Sequence, residues 1–415
     1  MRLVIPRGAM YHRVVDDLSC LARAVFGRLD DQSTISAFES RFASYVGRKH
    51  GVAFPSARTA ILSSIKAQQL PVGAEIIMPP ITIKPILDVV LACGLKPVFV
   101  DLDPQTICFD LAKLKQAITP HTKAILITYL FGLVPDMAAL MALCRAHGLF
   151  VMEDFSQCLN GTHQDKNIGT FGHVGIYSSS FIKTLDTYGG GQLVCDDDAL
   201  HEALRKHQAA MAPPSRSIVI RKIIFGLCMN VATTRWVFHA LVFPLLRLVS
   251  LLRPEKVIRL LGVQTSQLLP RLPAAWFHRY SSLQAKLGLQ LLPEVTAGDA
   301  ARVQHVQKIK ERLKGSRVRF PNGVPGTHNV YWQLITSVKD AQRAQRFLHG
   351  HGIDTSTTSL THIAALPHSP HKGDTPCAKD IHENGLLIPT YPGLGENDVR
   401  RIVAALSHKD ADAFL

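Results

Sequence analysis

Residues 150–198 read FVMEDFSQCLNGTHQDKNIGTFGHVGIYSSSFIKTLDTYGGGQLVCDDD. The apolar run Leu149-Phe150-Val151-Met152 predicts a buried strand that delivers Glu153 and Asp154 at its C-terminal end. That end is where α/β sheets present ligand-binding side chains. Three serines follow (Ser178, Ser179, Ser180), then Lys183, then Gly189-Gly190-Gly191 ahead of a second strand at Gln192 to Cys195. These glycines do not make a dinucleotide-binding loop, because such a loop follows a strand and opens a helix, whereas here the glycines precede the strand.

Outward from this stretch, strands and helices alternate. Val52-Ala53-Phe54 predicts a short strand, and Pro55 to Leu62 a small-residue turn opening a helix, whose first backbone N–H groups make an anion site. Strands follow at Glu75 to Met78, Pro97 to Val100, Ala124 to Thr128 and Leu149 to Met152, with helices at Pro85 to Cys93, Leu111 to Ile118 and Met137 to His147. This alternation predicts an α/β fold with a mostly parallel sheet between helices. Before it, Ile35, Phe38, Phe42 and Val46 recur at helical spacing, with Glu39 and Arg41 expected on the outer face. Beyond it, a helix at Leu283 to Leu291 leads into a smaller C-terminal α+β domain with a strand at Val330 to Ile335 and helices at Ala341 to His349 and Asn397 to Leu406. The expected division is residues 1–290, an arm and a large domain with an insertion at about 216–260, and residues 291–415.

An acid for a ring nitrogen, hydroxyls for a phosphate and an amine for a carbonyl are what pyridoxal 5′-phosphate requires of a protein. The order of these residues resembles the DegT/DnrJ/EryC1/StrS family of sugar aminotransferases. Its pattern E-D-x-x-Q appears as Glu153-Asp154-Phe155-Ser156-Gln157, its G-x-x-G-x-F-G-D across Ile168 to His173, its F-S-F-x-x-x-K as Tyr177 to Lys183, and its G-x-G-G as Gly189-Gly190-Gly191. Ser56 to Ile61, Glu75 to Ile83, Pro97 to Pro104 and Ile388 to Leu394 match further family segments in the same order. The resemblance implies fold type I, aspartate aminotransferase-like, with a seven-stranded sheet. It also implies pyridoxal 5′-phosphate as cofactor, a homodimer, and transfer of an amino group, with glutamate as the usual donor, to a keto-sugar.

Carried over by position, the resemblance makes Lys183 the amine that links covalently to the cofactor and moves a proton. Asp154 is expected to hold the pyridine nitrogen protonated and Gln157 to donate to the ring hydroxyl. Ser178 and the backbone amides of Ala57 and Arg58 are expected to hold the phosphate. Several positions depart from the family. Ile83 stands where an aromatic usually stacks on the ring, Tyr129 where a His is usual, and Arg58 where a Thr is usual. The family's G-Y-N-Y-R appears as Ala275-Trp276-Phe277-His278-Arg279, so Phe277 replaces an Asn that reaches the phosphate across the dimer. The guanidinium of Arg58 is expected to supply the phosphate with the hydrogen bond that Phe277 cannot make. A related dehydrating branch carries His at the lysine position, and Lys183 argues against it.

Lys and Arg outnumber Asp and Glu by 46 to 32, a net charge of +14 that favours anionic partners. Nucleic acid is disfavoured, because the basic residues gather in an apolar segment without interleaved stacking aromatics. That segment, residues 216–260, holds a single acid, Glu255, among many Lys and Arg. No uncharged run in it reaches the roughly 18–20 residues a spanning helix needs. On an ideal helix, broken near Pro244, Arg221, Lys222, Arg235, Arg247 and Arg253 share one arc. This is the pattern of a helix lying in a membrane interface, and equally of a hairpin packed on the domain or on a partner subunit. The eight cysteines are scattered without a C-x-x-C pair and read as reduced, buried thiols. With no apolar core after the first charges, a signal peptide is not expected, and the reading is a cytoplasmic protein, at the inner face of the membrane if 216–260 docks there. His362, His368, His371 and His382 have no recognised ligand spacing, so no metal is expected. The rival to an aminotransferase is a non-catalytic binding or regulatory protein that keeps this fold at a membrane surface.

Overall fold

The computed structural model describes residues 3–252, 268–269, 271–367, 369 and 373–413. Arg253, His368 and His371 lie outside the described residues. The strands of the first part are β1 (His50–Phe54), β2 (Glu75–Met78), β3 (Ile81–Thr82), β4 (Lys96–Phe99), β5 (Thr122–Thr128), β6 (Phe150–Asp154), β7 (Thr162–His163), β8 (Lys166–Asn167), β9 (Val174–Ser178) and β10 (Gly191–Cys195). Among the helices between and around them are α1 (Val14–Phe26), α2 (Gln32–Val46), α3 (Ala57–Ala67), α4 (Lys84–Ala92), α5 (Leu111–Ala117), α6 (Met137–Ala146) and α7 (Asp198–Ala209).

Seven strands form the central sheet in the order β1-β10-β9-β6-β5-β2-β4. Neighbours from β9 to β4 run parallel, and β10 is antiparallel to both β9 and β1. Alternate residues of each strand point to opposite faces. Ile125, Ile127 and Val151 therefore enter one apolar cluster with Phe38 and Phe42 of α2. Ala124, Leu126, Phe150 and Met152 enter another with Ile61 of α3 and Leu87 of α4. A sheet buried on both faces explains why its strands read as unbroken apolar runs.

The C-terminal part contains α11 (Ser282–Leu291), α12 (Val295–Arg312), β11 (Thr327–His328), β12 (Leu334–Ser337), α13 (Ala341–Gly350), β13 (Ser356–Thr357), β14 (Thr361–His362), α14 (Pro376–Asn384), β15 (Gly385–Ile388) and α15 (Glu396–Leu406). It has its own sheet, ordered β12-β15-β13, and its own apolar cluster. That cluster also takes in Ile5, which bridges to Ile353, while Arg7 pairs with Asp354 at 2.7 Å. The first residues of the chain thus pack with the C-terminal part and not with the large sheet.

Other expectations are corrected. The strand foreseen at Val330 to Ile335 begins only at Leu334. Glu39, placed on the outer face of its helix, is 2% exposed, because its carboxylate accepts the Ala53 N–H at 2.7 Å and pairs with Arg205 at 2.6 Å. Cys228 is exposed, although every described cysteine is free. In the insertion, α8 (Arg216–Thr233) meets α9 (Arg235–Val237) at Thr234, whose extended ψ of 126° ends the helix there. Pro244 stands in the first turn of α10 (Phe243–Leu252), where its missing N–H is tolerated, directly after a π-helical turn, Phe238–Val242, and the expected break there does not occur. The two halves bend by 69°, so the basic residues do not share one face. Lys222 turns toward Gly189 and Arg235 pairs with Asp398 at 2.5 Å.

Candidate active site

Register brings the predicted residues to one edge of the sheet. Asp154 closes β6 opposite Ile176 of β9, and Ser178 closes β9 opposite Gly191 of β10. Gly191 in turn faces Phe54 at the end of β1, immediately before the turn into α3. A Cβ on Gly191 would lie 2.3–2.5 Å from the Ser56 carbonyl and the Ala57 nitrogen, so only glycine lets this strand touch the start of α3. The N–H groups of Ala57 and Arg58 stand in that first turn, where the helix itself offers no partner.

Each carboxylate and amide here is held by its neighbours. Asp154 is 6% exposed and accepts the Ser156 N–H at 3.1 Å. Burial pushes its carboxyl above the ordinary range, opposed by the Ser156 hydrogen bonds and the charge of Lys183. Ser156 Oγ accepts the Ser178 N–H at 2.9 Å, tying β6 to β9, and Ser178 Oγ donates to Ser180 Oγ at 3.0 Å. Gln157 Oε1 accepts the Phe131 N–H at 2.6 Å, which leaves the donor end of that amide for a ligand. Glu153, the other acid of the strand, is fully structural. It accepts from Tyr129 Oη at 2.5 Å and from the backbone N–H groups of Gly169, Phe171 and Gly172 at 2.6–2.9 Å.

Lys183 lies in the loop between β9 and β10. Ile182 and Tyr188 adopt φ of 64° and 59° there, and Gly189 and Gly190 adopt 114° and 135°. The Lys183 Nζ lies 3.6 Å from the ring centroid of Trp332, whose indole N–H donates to the Ile182 carbonyl at 3.1 Å. Burial lowers the lysine pKa to about 7 against the pull of Asp154, so a sizeable fraction is neutral at neutral pH. Trp332 comes from the C-terminal part and was missed by the sequence reading, since no local pattern ties it to a loop so far away in the chain.

Around the start of α3, the Arg58 guanidinium lies over Trp276, 4.0 Å from the ring centroid. Its Nε is buried with no hydrogen-bond partner among the described residues. Phe277 packs on the apolar cluster of α3 and α4. Ile83 caps α4, partly buried against both sheet-face clusters. These residues fit pyridoxal 5′-phosphate. A buried carboxylate short of a cation suits a protonated pyridine nitrogen, a fixed amide donor suits a ring hydroxyl, and an orphaned guanidinium nitrogen beside a helix start suits a phosphate. Lys183 supplies the amine.

Comparison with known proteins agrees. The model of the DegT/DnrJ/EryC1/StrS aminotransferase family matches residues 22–230 and 255–407. A GDP-perosamine synthase of Caulobacter vibrioides is 28% identical over 381 residues, covering 90% of this chain and 89% of the relative. A UDP-N-acetyl-3-dehydro-alpha-D-glucosamine 3-aminotransferase of Acidithiobacillus ferrooxidans is 27% identical over 386 residues, covering 91% and 90%. Among solved structures, a sugar aminotransferase of Micromonospora echinospora superposes with a TM-score of 0.75 at 22% identity, over 97% of this chain and 99% of that one.

Proposed function

Because the chain belongs to the DegT/DnrJ/EryC1/StrS aminotransferase family, a group of pyridoxal-phosphate-dependent fold type I enzymes, we propose that it transfers an amino group from glutamate to a keto-sugar carried on a nucleotide or a lipid. The product would serve polysaccharide, glycolipid or amino-sugar biosynthesis. The observation that carries this reading is the convergence of Asp154, Gln157, Ser178 and the start of α3 on one sheet edge, with the depressed amine of Lys183 among them.

When bound, the cofactor supplies an electron sink for the substrate carbon. The chain supplies the rest. Asp154 would hold a proton at the ring nitrogen, Gln157 would orient the ring through its hydroxyl, and Ser178 with the Ala57 and Arg58 amides would fix the phosphate. Its pKa, lowered to about 7 by burial, suits Lys183 to accept and return a proton near neutral pH, which would be its role at the reacting carbon. Trp332 limits the water that reaches its Nζ. Borohydride reduction of the cofactor-loaded protein followed by peptide mass spectrometry should place a pyridoxyl group on Lys183. Adding glutamate alone should convert the bound cofactor to its amine form, and a protein that performs neither step would not be an aminotransferase of this kind.

We further propose that the enzyme works as a homodimer on the cytoplasmic side of a membrane, docked by α9 and α10. Trp236, Leu241, Leu245 and Leu248 support this, being 52–68% exposed on one short segment. Large apolar side chains gathered on a surface mark an interaction site. No single described helix is long and apolar enough to cross a membrane, although the bent pair Arg216–Thr233 and Arg235–Leu248 passes that test jointly. Co-sedimentation with anionic vesicles should be lost when Trp236, Leu241 and Leu245 are replaced by serine. Unchanged co-sedimentation would rule out docking by this segment, and light scattering reads the oligomer.

A further inference from the structure

Helix α8 comes from the segment in which this chain departs from a plain alternation of strands and helices, yet it is built into the active-site loop. Gly226 lets it approach so closely that a Cβ there would meet Tyr188 at 2.9 Å and Phe181 at 3.2 Å. Phe225 packs edge-on against Phe181 at 4.9 Å. Asn230 donates to Asp17 at 2.9 Å, and Asp17 accepts the Tyr188 hydroxyl at 2.5 Å. So held, the helix aims one side chain at the glycine loop: Lys222 Nζ is 2.9 Å from the place a Cβ on Gly189 would take.

Lys222 and Arg58 face the same region. Neither forms an ion pair with a carboxylate among the described residues. Burial lowers Lys222 to about 8, with Arg58 and then Arg221 adding to the effect, and burial alone takes Arg58 to about 10. Two half-buried cations that repel each other and lack a counter-charge are costly to maintain. A doubly charged anion between them offsets both the burial and the repulsion. The Ala57 and Arg58 N–H groups, which the first turn of α3 leaves without helical partners, suit the same anion.

We propose that Lys222 and Arg58 form a two-cation clamp for a phosphate dianion at the start of α3, and that the phosphate is the cofactor's own. This rests on the pyridoxal-phosphate reading above and adds to it a ligand from the insertion. The clamp completes within one chain a cradle from which Phe277 contributes no polar contact. A substrate phosphate is the other source of the same chemistry.

Apo-protein titrated with pyridoxal 5′-phosphate and with pyridoxal, which lacks the phosphate, tests the proposal. In Lys222→Met the dissociation constant for the phosphorylated form should rise about 10–100-fold, the cost of one charge-assisted bond, while that for pyridoxal changes less than about 2-fold. Lys222→Arg should restore most of the loss, and an unchanged thermal midpoint in Lys222→Met confirms that the fold survives. Wild-type affinity for pyridoxal 5′-phosphate in Lys222→Met overturns the proposal. A loss seen only in the binding of uridine diphosphate would assign the cations to substrate phosphate and overturn the cofactor assignment. If the wild-type protein itself takes up no pyridoxal 5′-phosphate, the functional reading fails, and the clamp with it.

Discussion

The ammonium of Lys183 lies 3.6 Å from the centroid of the Trp332 ring, two residues that the chain separates by the whole of the insertion and the start of the C-terminal part. Two effects of the indole oppose each other. Its face attracts a cation, by about 0.5–2 kcal/mol, while its bulk excludes water from Nζ. Burial is the larger influence and the lysine ends near 7. Trp332→Ala should therefore raise the Lys183 pKa by about one unit. Uptake of pyridoxal phosphate, which needs the neutral amine, should shift to higher pH by the same amount when its rate is followed by absorbance.

Glu153 predicts a stability effect without a catalytic one. Its carboxylate accepts three backbone N–H groups and the Tyr129 hydroxyl in a fully buried site. Glu153→Ala would strand all four donors, each worth roughly 1–3 kcal/mol when left unpaired. After partial relaxation the net loss should be about 3–5 kcal/mol in urea unfolding. Tyr129→Phe removes a single donor and should cost about 1 kcal/mol.

Gly191→Ala should weaken cofactor binding. Its Cβ would press on the Ser56 carbonyl and Ala57 nitrogen at 2.3–2.5 Å, pushing the start of α3 away from β10. The expected result is at least about a 10-fold rise in the dissociation constant for pyridoxal 5′-phosphate. Far-ultraviolet circular dichroism should stay near wild type.

His12 makes the stability of α1 pH-dependent. It is fully buried with Nδ1 2.7 Å from Asp17 and Nε2 3.8 Å from Asp186. Burial alone would lower its pKa, but the two carboxylates raise it from 6.5 to about 9. A folded-state pKa above the unfolded one gives stability that is complete below about pH 6.5 and lost as pH rises through about 9. The loss across that window should be up to about 3 kcal/mol. Thermal midpoints measured from pH 6 to 10 should fall for the wild type and stay flatter for His12→Gln.

Much of this was legible along the chain. Strands β2, β5 and β6 announce themselves as apolar runs because both faces of the sheet are covered. Asp154 and Ser178 stand where such strands end, so local order alone placed them at the ligand edge. Helices α12 and α14 went unforeseen, since α12 in particular is polar along most of its length. Glu39 was misplaced because its partners, Ala53, Arg205 and Gln208, lie on other elements and turn a charged residue inward.

The sequence by itself determined the alternating fold, the acid at one strand end, the amine in the loop beyond the next, and the glycines that follow it. These depend on period and on position relative to strand ends, which are properties of neighbours in the chain. Only the tertiary structure decided that Trp332 covers Lys183 and that Lys222 reaches Gly189. On one straight helix Lys222 shared a basic stripe with Arg235. The 69° bend at Thr234 separated them, leaving one beside Gly189 and the other on Asp398. A bend set by packing on distant elements has no periodic signature, so the residues it redirects acquire their roles only in the folded chain.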